Sequence, residues 1–424
     1  MKYFDSKYFH YKISELHCEN VPVRKLISTF GTPAYIYSKN FFVDRYKEFD
    51  KAFEKINHKI FFASKSNFNL NVIKIFSDLG AGIDVNSSGE LYRAITAGVD
   101  PKNILLTGVG KTKDEIILGL ENDVLLIKAE SIQEVYLINE LAKKIGKKAD
   151  VALRVNPDVD PKTHPYISTG LAENKFGIES ASALDVFKEC NKLPFINMCG
   201  IDMHIGSQIT TIEPFVEAVI KMSELTKKII AAGIKIKHFD VGGGMGVIYN
   251  DETTFSPAEL ADALIPIFMT IDCNIFFEPG RFLTANGGIL ATEVLYTKQN
   301  NSKNFIIVDA AMTDLLRPSI YKSYHHIQPI EQKNSEMITA DIVGPVCESG
   351  DFLAKNRDID NVKSGDFLAV MSTGAYGMVM SSNYNARRRP PEIIVDGSDF
   401  YLTRSRENFE HLLFDEKIIA QLHK

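Results

Sequence analysis

Residues 60–86, IFFASKSNFNLNVIKIFSDLGAGIDVN, decide the fold. Two short apolar runs, 60–64 and 82–86, bracket a longer stretch of helical character. Runs of this length, bounded by polar and turn residues, fit strands buried on both faces. The alternation continues downstream, with further strand candidates at 104–109, 124–128, 151–155, 200–204, 238–241 and 275–278. Helical patterns lie between them, such as 131–145 and 213–232, where apolar residues recur every three or four positions and charges fill the other face. Strand and helix in alternation with right-handed crossovers give a parallel sheet, and eight repeats in about 220 residues meet the requirement of a closed (β/α)8 barrel. An open, doubly wound sheet is the competing architecture.

After residue 285 the pattern changes to β-rich segments with turn signals, for example 304–308, 366–371 and 392–395. The first 35 residues also contain strand-like stretches, and chain termini often lie close together. The expectation is an α/β plus all-β protein: a parallel (β/α)8 barrel over 36–285, and a second β-rich domain, sandwich or Greek-key-like, built from 1–35 and 286–424. That second domain is expected to complete the active site and the dimer interface.

Bulk properties exclude several classes. The net charge is -6 and the isoelectric point about 6.0, and the one basic run, Arg387 to Arg389, is too short for a nucleic-acid stripe. The N-terminal MKYFDSKYFHYK interleaves charge with aromatics, unlike a secretory signal or anchor. No apolar run approaches the roughly 18 residues of a spanning helix. A cytoplasmic protein with no membrane or nucleic-acid partner is expected. Five dispersed cysteines, Cys18, Cys190, Cys199, Cys273 and Cys347, argue against a disulfide framework and a zinc site.

In such barrels the active site lies at the C-terminal ends of the strands. Lys65 follows the first strand, Asp84 sits in the second, His204 closes the sixth, Gly242, Gly243 and Gly244 follow the seventh, and Glu278 ends the eighth. A lysine in a desolvated or cationic site can lose its proton near neutrality and form a Schiff base with a carbonyl; the plain alternative is a solvated lysine past a strand. The glycines of FDVGGGMG, with Gly280 of FFEPGR, offer bare N–H groups to an anion, although tight turns alone would also explain them. A dinucleotide fingerprint fails at Val247, and GVGKT at 108–112 fails as a P-loop because Leu105 stands where glycine is needed. HIGSQ at 204–208 suits a flat ring bearing a phosphate, and Glu278 could keep a heterocyclic nitrogen protonated, as an electron-sink cofactor requires. Together these groups describe a pyridoxal phosphate site.

The chain resembles the alanine racemase-type pyridoxal phosphate enzymes, and more narrowly the diaminopimelate decarboxylases. The resemblance covers roughly residues 30–415. It rests on RVNPDV, HPYISTG and KFGI within 154–178, HIGSQ at 204, GGG at 242, EPGR at 278, RPSIY at 317, GPVCESGD at 344, GAYG at 374 and SNYNARRRPPE at 382. It implies decarboxylation of meso-2,6-diaminopimelate to L-lysine and carbon dioxide, the last step of lysine biosynthesis, with pyridoxal 5'-phosphate as cofactor. By the same resemblance Lys65 holds the cofactor as a Schiff base, His204 stacks on its ring and Glu278 pairs with its nitrogen. The phosphate is held by Ser207, Gly242 to Gly244, Gly280, Arg281 and Tyr376. Arg281, Arg317, Tyr321 and Tyr376 meet the substrate, chiefly its distal carboxylate, while Glu348 takes the distal ammonium. Cys347 reprotonates the carbanion, supplied with Glu348 by the neighbouring subunit of a homodimer. A thiol titrates close enough to neutrality for that role, and a buried apolar cysteine is the plain alternative.

Two features depart from the family pattern. Ser64 and Ser66 flank the lysine where valine and alanine are usual, which implies a packing change, and the RRRPP run differs slightly. Racemases of this fold set an arginine against the pyridine nitrogen, so Glu278 argues against them. Decarboxylases for D-ornithine or D-lysine share most motifs and differ in the grip on a distal carboxylate, where bidentate arginines would be left unpaired by a substrate lacking it. A non-catalytic homologue would be expected to lack Lys65 or Cys347. The connection 158–175 is long for a barrel and suggests a lid.

Overall fold

All eight runs expected to be strands are strands, and they close into one barrel. In the computed structural model they are β1 (His58–Ala63), β2 (Gly82–Val85), β3 (Ile104–Leu106), β4 (Leu126–Ala129), β5 (Ala149–Asn156), β6 (Ile196–Asp202), β7 (His238–Asp240) and β8 (Asn274–Phe277). Each pairs in parallel with the next, and β8 pairs with β1, so the sheet has no edge. The open-sheet alternative is thereby set aside.

The structure describes residues 3–161, 163–164, 167, 169–170, 174–301, 303–333 and 335–423. They form two units, Phe41–Asn286 and Met1–Asn40 with Gly287–Lys424. Of the HPYISTG motif, Pro165, Tyr166 and Ser168 lie outside the described residues, as do Lys162 and residues 171–173 of the long connection.

Strand periodicity explains why the barrel floor is apolar and its mouth polar. Phe61, Leu105, Leu126, Ala152, Cys199 and Phe276 pack together at the floor, with the Phe61 and Phe276 rings 4.7 Å apart. Gly82 pairs with Phe61, and a Cβ there would stand 2.3 Å from the Phe61 ring, so only glycine leaves the ring its space. Successive side chains alternate faces, so the residue two positions on points the same way one layer higher. Those residues are Asp84 after Gly82, Lys128 after Leu126, Arg154 after Ala152, Asp202 after Gly200, Asp240 after His238 and Glu278 after Phe276.

The helices begin where the strands have delivered the chain back to the surface. Ser87, Thr112, Ser131 and Ser256 each accept a hydrogen bond from the backbone of a glutamate three residues on, and Thr112 and Ser256 form full capping boxes with Glu115 and Glu259. Such caps satisfy N–H groups that the first helical turn leaves unpaired. The helices Ile132–Ile145 and Glu213–Ala231 match the expected 131–145 and 213–232.

The other unit is β-rich. Gly288–Asn300 is its central strand, antiparallel to Ala34–Ser38, Lys303–Val308 and Phe367–Val370 within a nine-stranded mixed sheet. Phe9–Lys12, Glu15–Cys18 and Val21–Pro22 form a small antiparallel sheet. Phe9, Leu16 and Cys18 share one apolar core with Ile36, Ile289, Ala369 and Ile393. The strand Ala34–Ser38 is hydrogen-bonded into this sheet on both edges, by Gly288–Asn300 and by Glu392–Asp396, so the unit boundary falls after Asn40 rather than at the expected 36. Among the described residues no helix is long and apolar enough to cross a membrane.

Candidate active site

Lys65 occupies a single 3-10 turn, Ser64–Ser66, directly after β1. The two serines brace it. The buried Ser64 hydroxyl shares its one proton between the Asp84 carbonyl at 2.9 Å and Glu90 at 3.0 Å, and the Ser66 hydroxyl donates to the Ala63 carbonyl at 2.8 Å. These hydroxyls are more than a packing change, because each closes a hydrogen bond that fixes the direction of the lysine stem. The Lys65 Nζ lies 3.7 Å from Asp84 Oδ2. Asp84 is itself fully buried, accepting from the Thr107 hydroxyl at 2.5 Å and the Asn86 amide at 3.2 Å. Burial, chiefly, pushes the Glu90 carboxyl up.

His204 stands two residues beyond β6 rather than in the strand. Its Nδ1 accepts from the Gly243 N–H at 3.1 Å, which leaves the ring proton on Nε2. Desolvation first, then the positive charges of Lys65, Arg154 and Lys128, hold the imidazole well below its ordinary pKa, so the ring is neutral. The Arg154 guanidinium is clamped to Glu130 at 2.8 Å.

The three glycines divide their work. The Gly242 N–H donates to Asp240 Oδ1 at 2.8 Å, and its carbonyl accepts from the Glu278 N–H at 2.8 Å. Gly243 serves His204. Among the described residues the N–H groups of Gly244 and Gly280 meet no acceptor, on two neighbouring strand exits. Beside them the Ser207 hydroxyl accepts from Arg281 Nη2 at 2.9 Å and Nε at 3.3 Å, while Arg281 Nη1 reaches the Tyr249 hydroxyl at 2.8 Å. Gly244 has a φ of 123°, a conformation that glycine adopts cheaply and other residues do not.

Glu278 lies one residue past β8 and is 5% exposed. Burial, then Asp240, Asp84 and Asp202, pushes its carboxyl up, against the pull of Lys128. Sequence reasoning passed over Lys128, Asp202 and Asp240, which form the buried ionic cluster against which Glu278 rests. The period-two signal was available: Lys128 follows the floor residue Leu126 by two.

The remaining expected residues belong to the β-rich unit. Arg317 is buried, its Nη1 donating to His325 Nε2 at 2.8 Å, and His325 Nδ1 in turn donates to the Met371 carbonyl at 2.8 Å. Tyr321 ends the short helix Arg317–Tyr321 and is partly exposed. Cys347 and Glu348 sit on an exposed turn organised by the buried Asp351, whose carboxylate accepts from the N–H groups of Met312 at 2.6 Å and Val346 at 2.7 Å. The Cys347 N–H donates to Asn385 Oδ1 at 3.1 Å. Gly344 lets Asp351 come this close, since a Cβ there would fall 2.5 Å from its carboxylate. Tyr376 is half-buried with a φ of 56°, a left-handed conformation that is rare for an aromatic residue.

Known proteins resemble this chain throughout. A family described as "Pyridoxal-dependent decarboxylase, pyridoxal binding domain" matches residues 40–285. A diaminopimelate decarboxylase of Aquifex aeolicus is 46% identical over 96% of both chains. One from Vibrio cholerae is 44% identical over 98% of this chain and all of its own. A diaminopimelate decarboxylase of M. jannaschii solved in complex with L-lysine superposes with a TM-score of 0.93 at 36% identity, over 98% of each chain.

Proposed function

This chain belongs to the diaminopimelate decarboxylases, and from that premise we propose that it converts meso-2,6-diaminopimelate to L-lysine and carbon dioxide with pyridoxal 5'-phosphate, the last step of lysine biosynthesis. The observation that carries the reading is the gathering, on one barrel rim, of the Lys65 amine, the neutral His204 ring, the buried Glu278 carboxylate and two glycine N–H groups with no protein acceptor.

These residues fit the cofactor. Gly244 and Gly280 offer bare N–H groups to a phosphate, and Ser207 adds a hydroxyl held in place by Arg281. Lys65 is the amine that holds the aldehyde carbon, with Asp84 keeping the lysine head at the rim. His204, neutral and fixed by Gly243, would stack its flat face on the cofactor ring. Glu278 Oε1 is taken by Lys128, and Oε2, with no protein donor among the described residues, would accept from the ring nitrogen of the cofactor. When bound, pyridoxal phosphate supplies the sink for the electron pair released as the carboxylate leaves.

For the β-rich unit the roles rest on the resemblance. Arg317, with Tyr321, Tyr376 and Arg281, binds the distal carboxylate; Glu348 takes the distal ammonium; Cys347 returns a proton to the carbon that lost carbon dioxide. Cys347 and Glu348 act from the second subunit of a homodimer, and the enzyme works in the cytoplasm. The exposure of Cys347 supports this, because an acid that serves another subunit cannot be buried in its own. The test is Lys65→Ala. The variant should show no visible absorption from lysine-bound cofactor and no carbon dioxide release; wild-type absorption in the variant would remove Lys65 from the reading.

A further inference from the structure

The barrel mouth holds a buried ammonium that the decarboxylation chemistry does not use. Lys128 is fully buried, and its Nζ lies 2.8 Å from Asp202 Oδ1, 2.6 Å from Asp240 Oδ2 and within hydrogen-bond distance of Glu278 Oε1. Asp202 and Glu278 each accept an N–H of this ammonium, and Asp240 faces it as an ion pair, so carboxylates at three successive strand exits share one cation. Lys111 fixes the backbone beneath, donating to the Lys128 carbonyl at 2.6 Å while pairing with Glu134.

We propose that Lys128 is a positioning residue for Glu278, a built-in counter-cation that opposes protonation of this carboxylate and aims it so that its second oxygen could meet the cofactor's ring nitrogen. The inference rests on the reading of Glu278 given above.

Two observations carry it. Without Lys128, the Asp202, Asp240 and Glu278 oxygens would lie within 4.8 Å of one another, buried and with no cation among them. Carboxylates so placed resist joint ionisation, and one or more would take up a proton. A protonated Glu278 offers only a neutral acceptor and no negative charge to hold a proton on the ring nitrogen. The second observation is connectivity. Asp240 uses one oxygen for Lys128 and the other for the Gly242 N–H, and Gly242 accepts from the Glu278 N–H. One ammonium thus ties the ring-nitrogen carboxylate to the glycine loop.

Burial and then the neighbouring carboxylates push the Glu278 carboxyl up, and Lys128 is the charge that opposes them. Asp202, Asp240, Glu278 and Asp84 outweigh burial and keep Lys128 protonated far past neutrality. Burial lifts Asp240 to about 6, with Lys128 opposing. The other charged groups facing the mouth are already engaged: Lys65 lies by Asp84, Arg154 pairs with Glu130, and His204 is neutral.

The experiment compares wild type, Lys128→Met, Glu278→Gln and the double variant Lys128→Met/Asp240→Asn. Each is measured for the pH profile of kcat and for cofactor affinity, and as apoprotein for melting temperature between pH 5 and 8. In Lys128→Met the acidic limb of kcat should move up by about one pH unit or more, so that turnover at neutral pH falls at least about tenfold and recovers with added base. Its apoprotein should lose stability more steeply than wild type as pH rises, because the native carboxylates then bind protons that the unfolded chain has released. Removing one competing carboxylate in the double variant should shift both profiles back toward wild type. If Lys128→Met folds only near pH 5, that supports the same account; failure of both Lys128 variants to fold at any pH overturns it, as does a lower melting temperature with an unmoved pH limb. Glu278→Gln separates the two readings. If it alone leaves kcat and its acidic limb unchanged, the ring-nitrogen role of Glu278 falls. If it disables the enzyme while Lys128→Met keeps the wild-type limb, only the Lys128 proposal falls.

Discussion

Gly243→Ala adds one methyl group where the barrel has no room for it. An added Cβ would sit 2.2 Å from the Glu278 carbonyl oxygen and 3.1 Å from its carbon, both backbone atoms that cannot rotate aside. Ordinary contact begins near 3.4 Å, so the loop or the exit of β8 has to yield by about 1.2 Å. Neither is loose. Gly242 is bonded to Asp240 and to the Glu278 N–H, each at 2.8 Å, and Gly243 to His204 at 3.1 Å. The shift therefore falls on Glu278, His204 and the Gly244 N–H together. Overpacking of this kind destabilises by about 1–3 kcal/mol, and a displacement of about 1 Å at a binding constellation weakens function on the order of 100-fold. Gly243 has no positive φ, so the effect comes from space alone. The assay is cofactor affinity by equilibrium dialysis together with a thermal melt. We expect a dissociation constant about 100-fold higher and a melting temperature lower by about 2–8 °C. Gly110→Ala, which meets no heavy atom within 4 Å, is the control and should behave as wild type. Wild-type cofactor affinity in Gly243→Ala would refute the reasoning.

Two further predictions concern the β-rich unit. Cys347→Ala should lower kcat by about 100-fold to 10,000-fold with cofactor affinity unchanged, measured by turnover and by dialysis; equal losses in both would make the thiol structural. Asp314, 2% exposed, is lifted by burial to about 7. The native state then holds a proton that the unfolded chain gives up near pH 4, so the associated stability is whole below about pH 4 and lost as the pH rises through about 7. Asp314→Asn should flatten that slope and gain up to about 4 kcal/mol over wild type between pH 4 and 8, by denaturant unfolding. Parallel curves would contradict it.

The barrel was legible because buried parallel strands leave short apolar runs, and eight runs at regular spacing admit few architectures. Strand ends were less legible: His204 reads as the end of an apolar run, yet the ladder stops at Asp202, where the chain lifts off to form the rim. The expected boundary at 36 cuts through Ala34–Ser38, a strand as apolar as β1, because composition does not say which sheet a strand joins. Single residues at strand exits carried the visible site. The cluster around Lys128 was hidden for a different reason: it is assembled from one residue on each of several strands, separated by up to 150 positions, and a lone lysine in a sequence reads as surface. Only closure of the sheet puts it among carboxylates.

The measurement that tests the central claim most directly is carbon dioxide release by the pyridoxal phosphate-loaded protein from meso-diaminopimelate, D-ornithine, D-lysine, L-ornithine and L-arginine in parallel. The account predicts turnover of meso-diaminopimelate with L-lysine as product, and little from substrates that lack the distal carboxylate which Arg317 is proposed to bind. Preferential turnover of a substrate without that carboxylate would contradict it.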